Sequence, residues 1–165
     1  METIAVYWEP KPKTYGFNEV TNLSLLNIEI TEEKMDQCGL WLIEMADLEI
    51  SFHLVLAKYL DNKKLRLYIL IEKCFEDNVL SHVGKHVDFE LEKDFTITSP
   101  VELICFQGPH FGDRYGIADT VLNTLDSQDM QVLITVCSGS TVYIVLPEGV
   151  LGAARHFLSK AFEVP

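Results

Sequence analysis

Apolar residues along this chain recur with helical spacing in some segments and alternate or run together in others. Residues 101–106 are almost all apolar, which is typical of a central strand buried on both faces. Residues 116–125 place their apolar side chains on one face of a helix. Residues 130–136 and 141–146 then alternate as strands, and a last helical face extends over 151–162. The pattern predicts the order strand, helix, strand, strand, helix.

The first half of the chain repeats this order. A strand over 23–30 leads into Thr31-Glu32-Glu33, a cap residue followed by two acids, which is typical of a helix start. The later segments predict two more strands, a second helix and a fourth strand, over 50–56, 65–71, 75–83 and 87–91. The pattern therefore predicts an internal repeat. We expect it to divide the chain into an N-terminal unit over 1–95 and a C-terminal unit over 96–165.

The repeat predicts an α+β fold with two tandem ferredoxin-like βαββα(β) units, each an antiparallel sheet with its helices on one face. The polar segment 92–100 ends in Ser-Pro and is the expected linker. The C-terminal unit lacks an obvious fourth strand, and residues 4–8 are strand-like and could fill that sheet edge. Because units of this size have small cores, we expect them to pack against each other and to form a homodimer.

Composition narrows the classes of function. The formal net charge is −12, so a polyanion such as nucleic acid or an anionic membrane would be repelled. The four cysteines form no C-x-x-C pair and lie in apolar segments, as reduced thiols of a cytoplasmic protein would. The N-terminus does not resemble a signal peptide, and no apolar run approaches the ~20 residues of a membrane helix. These features predict a cytoplasmic protein without a nucleic-acid or membrane partner.

The segment 101–117 holds the most informative chemistry. It reads as a buried strand, a loop containing three glycines and a proline, and the start of a helix. Glycine lets a ligand approach the backbone closely, and the first amide N–H groups of a helix favour an anionic group such as a carboxylate. His110, Asp113 and Arg114 add charged and polar side chains to the same loop. The loop is therefore a candidate binding site for a small molecule.

These residues resemble the ACT domain, a regulatory module attached to aspartate kinases and other enzymes of amino-acid metabolism. The resemblance covers residues 101–162. Asp113-Arg114-Tyr115-Gly116-Ile117 resembles the family's D-x-P-G-I turn, with Tyr115 in place of proline, and Met130-Gln131-Val132 lies where the family often has I-N-I. Residues 136–140 are also similar to the aspartate-kinase version, whereas the first half matches only in the order of its elements.

The resemblance implies a non-catalytic, allosteric module that binds an amino acid and controls an enzyme of amino-acid metabolism. Family effectors lie between the loop of one unit and the second strand of a neighbouring unit, here residues 130–134. The implied carboxylate contacts are the amides of Gly116 and Ile117, and Asp113 would pair with the ammonium group. The full set of implied ligand-binding residues is Gly108, Pro109, His110, Phe111, Gly112, Asp113, Arg114, Tyr115, Gly116, Ile117, Met130, Gln131 and Val132. No catalytic residue, cofactor or resident metal is predicted.

Two other functions remain open. The chain could be a structural or assembly module without a ligand. It could also be an acylphosphatase-like hydrolase, since Phe106-Gln107-Gly108 followed by Arg114 resembles that loop. Arg114 is about two positions late for it, however, and Asp113 would place an acid where phosphate must bind.

Three further groups of residues have simpler explanations than metal binding or catalysis. His82 and His86 have the i, i+4 spacing of metal ligands, but a pair of surface histidines near a helix end is the favoured reading. Ser138-Gly139-Ser140 lies between two alternating segments and predicts a hairpin turn. His110 has no nucleophile within sequence reach and is read as a ligand contact.

Overall fold

The computed structural model describes residues 10–60, 63–86 and 94–164. Contacts between residues divide the described chain into two compact units, one within 22–101 and the other formed by residues 10–21 together with 102–164. Among the described residues, each unit has four strands and two α-helices, and the fold is α+β with antiparallel strands. The ferredoxin-like prediction of fold class is confirmed.

The unit over 22–101 has the strand order β2-β3-β1-β4. Its elements are the second part of β1 (Phe17–Thr31), α1 (Met35–Asp47), β2 (Phe52–Leu60), β3 (Lys64–Glu72), α2 (Glu76–His86) and the first part of β4 (Phe95–Gln107). β3 pairs antiparallel with both β1 and β2. Buried side chains of α1 and α2, among them Trp41 and Val79, pack against Ile28 and Ile69 of the sheet, so both helices cover one face.

The other unit has the strand order β1-β4-β6-β5. Its elements are the second part of β4, α3 (Ile117–Asp126), β5 (Ile134–Ser138), β6 (Thr141–Pro147) and α4 (Leu151–Ala161). The first part of β1 takes the fourth strand position. Ile104 and Phe106 of β4 pack against residues of α3 and α4, including Val121 and Leu158. The intervening residues Cys105 and Gln107 therefore point to the other face of the sheet.

Glu102 joins β4 to α4. It is 8% exposed, and its Oε2 accepts hydrogen bonds from the amide of Val150 at 3.1 Å and from that of Leu151 at 2.9 Å. A carboxylate at this place satisfies amides of the first turn and complements the helix dipole. These hydrogen bonds hold the start of α4 against β4.

Three sequence-based predictions differ from the structure. The linker expected over 92–100 is wrong for residues 95–100, which belong to β4, and Phe95 and Ile97 pack into the core there. The strand predicted over 130–136 begins only at Ile134. The strand predicted over 23–30 starts earlier, at Phe17, because residues 17–21 pair within the C-terminal unit.

Two other strand predictions, over 4–8 and 87–91, lie outside the described residues. The predicted boundary at 95/96 falls where β4 starts, whereas contacts divide the chain inside β4, at 101/102. Contacts also group the described residues 10–21 with the C-terminal unit. The physical reason is that β1 and β4 are hydrogen-bonded neighbours in the sheet, and the first part of β1 belongs to the same unit as the second part of β4.

Candidate functional site

The loop between β4 and α3 is a compact turn that starts at Gly108. His110 lies at φ 65°, the left-handed region, which reverses the chain. Its carbonyl oxygen accepts two hydrogen bonds, from the amide of Asp113 at 3.0 Å and from that of Arg114 at 2.7 Å. The turn is therefore held by its own backbone.

Gly116 is the residue from which α3 begins. It lies at φ 85° and no side chain caps the helix there. The amide and hydroxyl of Thr120 both donate to the Gly116 carbonyl oxygen, each at 2.9 Å. The amides of the first helical turn are left without a side-chain acceptor, the arrangement that favours an anionic group.

The side chains of two of the predicted contact residues are buried. Phe111 and Ile117 are each 6% exposed and belong to the core of this unit. The Phe111 ring centroid lies 5.9 Å from that of Phe106 and 5.9 Å from that of Phe162. Both side chains anchor the loop at its two ends, so any ligand contact from these residues comes from the backbone.

Gly108 is enclosed by the segment that precedes β1. A Cβ built on Gly108 would lie 2.1 Å from the carbonyl oxygen of Lys13 and 2.4 Å from a ring carbon of Phe111. Next to it, the carbonyl oxygen of Gln107 accepts hydrogen bonds from the Tyr15 amide and from the Thr14 hydroxyl, both at 2.8 Å. Segment 13–16 therefore forms one wall of the loop, and a side chain at position 108 would displace it.

The remaining loop side chains face solvent or are half-buried. Asp113 is 74% exposed, and its carboxylate lies 3.9 Å from Nδ1 of His110. Tyr115 is 97% exposed, Gly112 is exposed, and Pro109 and Arg114 are half-buried. Acidic, basic and phenolic groups thus surround the start of α3.

The other predicted part of the site lies elsewhere in the unit. Met130 and Val132 pack against the core and line a cavity with Leu122 and Asp126 of α3, while Gln131 is exposed. These contacts lie towards the C-terminal end of α3, and the loop lies at its N-terminal end. Since ten helical residues span about 15 Å, one unit does not bring the two parts together.

The other candidates from the sequence lie in α2 and at the turn between β5 and β6. Nδ1 of His82 lies 2.7 Å from the Asn78 carbonyl oxygen, one turn earlier in α2. The side chain of His86 is outside the described residues, and no cluster of three potential metal ligands occurs in the part that is described. β5 and β6 pair antiparallel through Ser138 and Thr141, so the predicted hairpin is confirmed.

A second concave region was not predicted from the sequence. A groove of about 430 Å³ is lined by Tyr15, Gly16, Phe17, Asn18, Cys105, Phe106, Gln107, Thr141 and Tyr143. These residues come from three strands and the segment before β1, so only the tertiary fold assembles them. The alternation of Cys105 and Gln107 with buried neighbours was the single sequence signal.

Comparison with known proteins identifies solved structures that have the same fold. No protein-family model matches the chain, and no curated protein matches it. The ligand-free regulatory subunit of aspartate kinase from Thermus thermophilus is similar over 93% of this chain and 99% of that one, with 10% identity and a TM-score of 0.74. This similarity extends over both units.

Complete kinases contain the same fold as one part. The aspartate kinase of Clostridium acetobutylicum matches 92% of this chain at 16% identity, with a TM-score of 0.78 and 35% of the kinase covered. E. coli aspartokinase III in complex with lysine and aspartate matches 95% at 12% identity, with a TM-score of 0.64 and also 35% covered. The chain therefore spans about a third of these enzymes, and it has the fold of aspartate kinase regulatory domains.

None of the helices in the described part of the chain is long and apolar enough to cross a bilayer.

Proposed function

We propose that this chain is a non-catalytic regulatory module that binds an amino-acid-like ligand at the loop 108–117. The observation that carries the proposal is the start of α3, where Gly116 opens the helix without a side-chain cap and Asp113 lies three residues before it. The two groups match the two charges of an α-amino acid. The helix amides would bind the carboxylate, and Asp113 would bind the ammonium group.

The structural neighbours support this choice of ligand. They are regulatory subunits and domains of aspartate kinase, and one of the complete enzymes was solved with lysine and aspartate bound. By the same argument, the expected partner is an enzyme of amino-acid metabolism, whose activity the ligand would control allosterically.

We further propose that a second copy of the chain completes the site. Met130, Gln131 and Val132 lie about one helix length from the loop of their own unit, so they reach a bound ligand only as part of a neighbouring unit. A homodimer provides such a neighbour. Sedimentation or light scattering at micromolar concentration should give twice the chain mass of 18.8 kDa, and a monomer would contradict this part of the proposal.

The ligand is tested by thermal unfolding with a panel of amino acids, because a ligand that binds only the native state raises the melting temperature. For each amino acid that binds, the panel includes its carboxamide and its deaminated acid. We expect both derivatives to bind weakly, since each lacks one of the two charges that the loop recognises.

The placement of the site is tested by Asp113→Ala, with Asp47→Ala at the exposed end of α1 as the matched control. Losing a charge-assisted hydrogen bond should cost about 1.5–3 kcal/mol, or about ten- to a hundredfold in affinity. The control should bind as the native chain does. Binding that survives Asp113→Ala would place the ligand elsewhere, and a chain that binds no amino acid would be a structural or assembly module.

A further inference from the structure

The groove beside β1 and β4 has a chemistry unlike that of the loop. It lies on the sheet face opposite α3 and α4, because Phe106 and Ile144 pack towards those helices while Gln107 and Tyr143 alternate with them. Its volume of about 430 Å³ is in the range of small-molecule sites, roughly 300–1,000 Å³.

The side chains of the groove carry no formal charge. Among the described residues that line it there is no Asp, Glu, Lys, Arg or His, although 38 of the 165 residues of the chain, 25 acidic and 13 basic, are charged. An ionic ligand would lose hydration there without gaining a counter-charge. The lining therefore favours an uncharged ligand.

The polar groups of the lining are of a particular kind. Asn18 and Gln107 each present an amide, which offers donors and an acceptor in one plane. Thr141 adds a hydroxyl, and Tyr15 and Tyr143 add phenol rings. Within the described part of the chain, the Asn18 amide nitrogen donates one hydrogen bond, which is long at 3.7 Å and goes to Sγ of Cys105, so a stronger acceptor would replace it.

Planar amide groups pair with the edge of an amide-bearing heterocycle, and aromatic side chains stack on its faces. From this combination we infer that the groove binds an uncharged, amide-edged heterocycle, of which a free nucleobase and a nucleoside are the two sources. The groove adjoins the loop at Tyr15 and Gln107, but the inference does not depend on the function proposed for the loop. A nucleotide is excluded from the class because its phosphate would meet no cation in the lining.

The test uses the full chain and follows binding by calorimetry and by the melting temperature. The probes are free nucleobases, the corresponding nucleosides, one nucleoside monophosphate and glucose. We expect a base or a nucleoside to bind, and the comparison of the two distinguishes the sources. Tighter binding of the monophosphate than of its nucleoside, binding of glucose alone, or no binding of any base or nucleoside would each overturn the inference.

The site is then located with variants in which a side-chain amide is replaced by a carboxylate. Asn18→Asp and Gln107→Glu keep the shape of the side chain but remove amide donors, so each should weaken binding about tenfold. Asn123→Asp and Gln128→Glu make the same changes outside the groove and should bind as the native chain does. Tyr143→Ala removes a stacking ring, should also weaken binding about tenfold, and provides a further variant if an acidic one fails to fold. Binding unchanged in all three groove variants would overturn the assignment.

Discussion

Replacing Gly108 by alanine tests whether the segment before β1 is packed as closely as the structure shows. The added Cβ would lie 2.1 Å from the Lys13 carbonyl oxygen and 2.4 Å from a Phe111 ring carbon. A carbon and an oxygen normally stay more than 3 Å apart, so the backbone of one segment has to move by about 1 Å. The Lys13 oxygen belongs to the backbone and cannot swing aside as the end of a flexible side chain would.

Overpacking of this kind costs about 1–3 kcal/mol, and moving segment 13–16 also strains the hydrogen bonds that Thr14 and Tyr15 make to Gln107. We therefore expect Gly108→Ala to lower the free energy of unfolding by about 2 kcal/mol or more, which corresponds to about 4–8 °C in melting temperature for a chain of this size.

Gly152→Ala in α4 is the matched control. A Cβ there would meet nothing within 4 Å, and alanine is favoured over glycine in a helix by about 0.5–1 kcal/mol. The same substitution should therefore have opposite signs at the two positions in urea unfolding. If Gly108→Ala changes the free energy of unfolding by less than about 0.5 kcal/mol, the close contact with Lys13 is refuted.

Three more outcomes are expected. Glu102→Ala should reduce the free energy of unfolding by about 2 kcal/mol because it leaves amides of α4 unpaired, whereas Glu148→Ala at the exposed turn nearby should change it little; equal effects in urea titration would contradict the cap. Burial raises the pKa of the Cys38 thiol to about 11, so iodoacetamide should modify the exposed Cys74 and Cys137 before Cys38 in the native protein, as mass spectrometry would show. Hydrogen bonds from Lys64 and then Arg66 lower the pKa of the Glu29 carboxyl from 4.5, so the stability that this group adds is present above that pH and is lost as the pH falls through the lowered value. Glu29→Gln should flatten the acid side of the stability curve, and an unchanged curve would exclude this contribution.

The sequence predicted those elements whose side chains alternate or repeat cleanly. β3 and β6 have regular apolar alternation, and α3 has a complete apolar stripe, so each lies within a few residues of its predicted bounds. The start of β1 was missed because residues 17–22 are mostly polar and partly exposed. Their strand conformation depends on pairing with β4, which is distant in sequence.

The candidate site was predictable in part for a similar reason. Gly116 at a positive φ and the exposed Asp113 follow from the glycine pattern and the turn chemistry. Phe111 is among the predicted contact residues, but its ring packs into the core of the unit, a placement that the loop sequence alone does not indicate. The groove could not be predicted, since Asn18 and Tyr143 come together only through the strand order β1-β4-β6.

The use of residues 17–21 as the fourth strand of the C-terminal unit has a consequence for how that unit forms. Thr14 and its partner Gln107 are separated by 93 positions, so on a ribosome the first strand emerges long before the strand with which it pairs. Contacts of such high sequence separation slow folding, because the loop must close before the contact forms. The C-terminal unit cannot form until residue 107 has been synthesised. Until then, the edge of its first strand stays unpaired, and the nascent chain is exposed to aggregation during this interval.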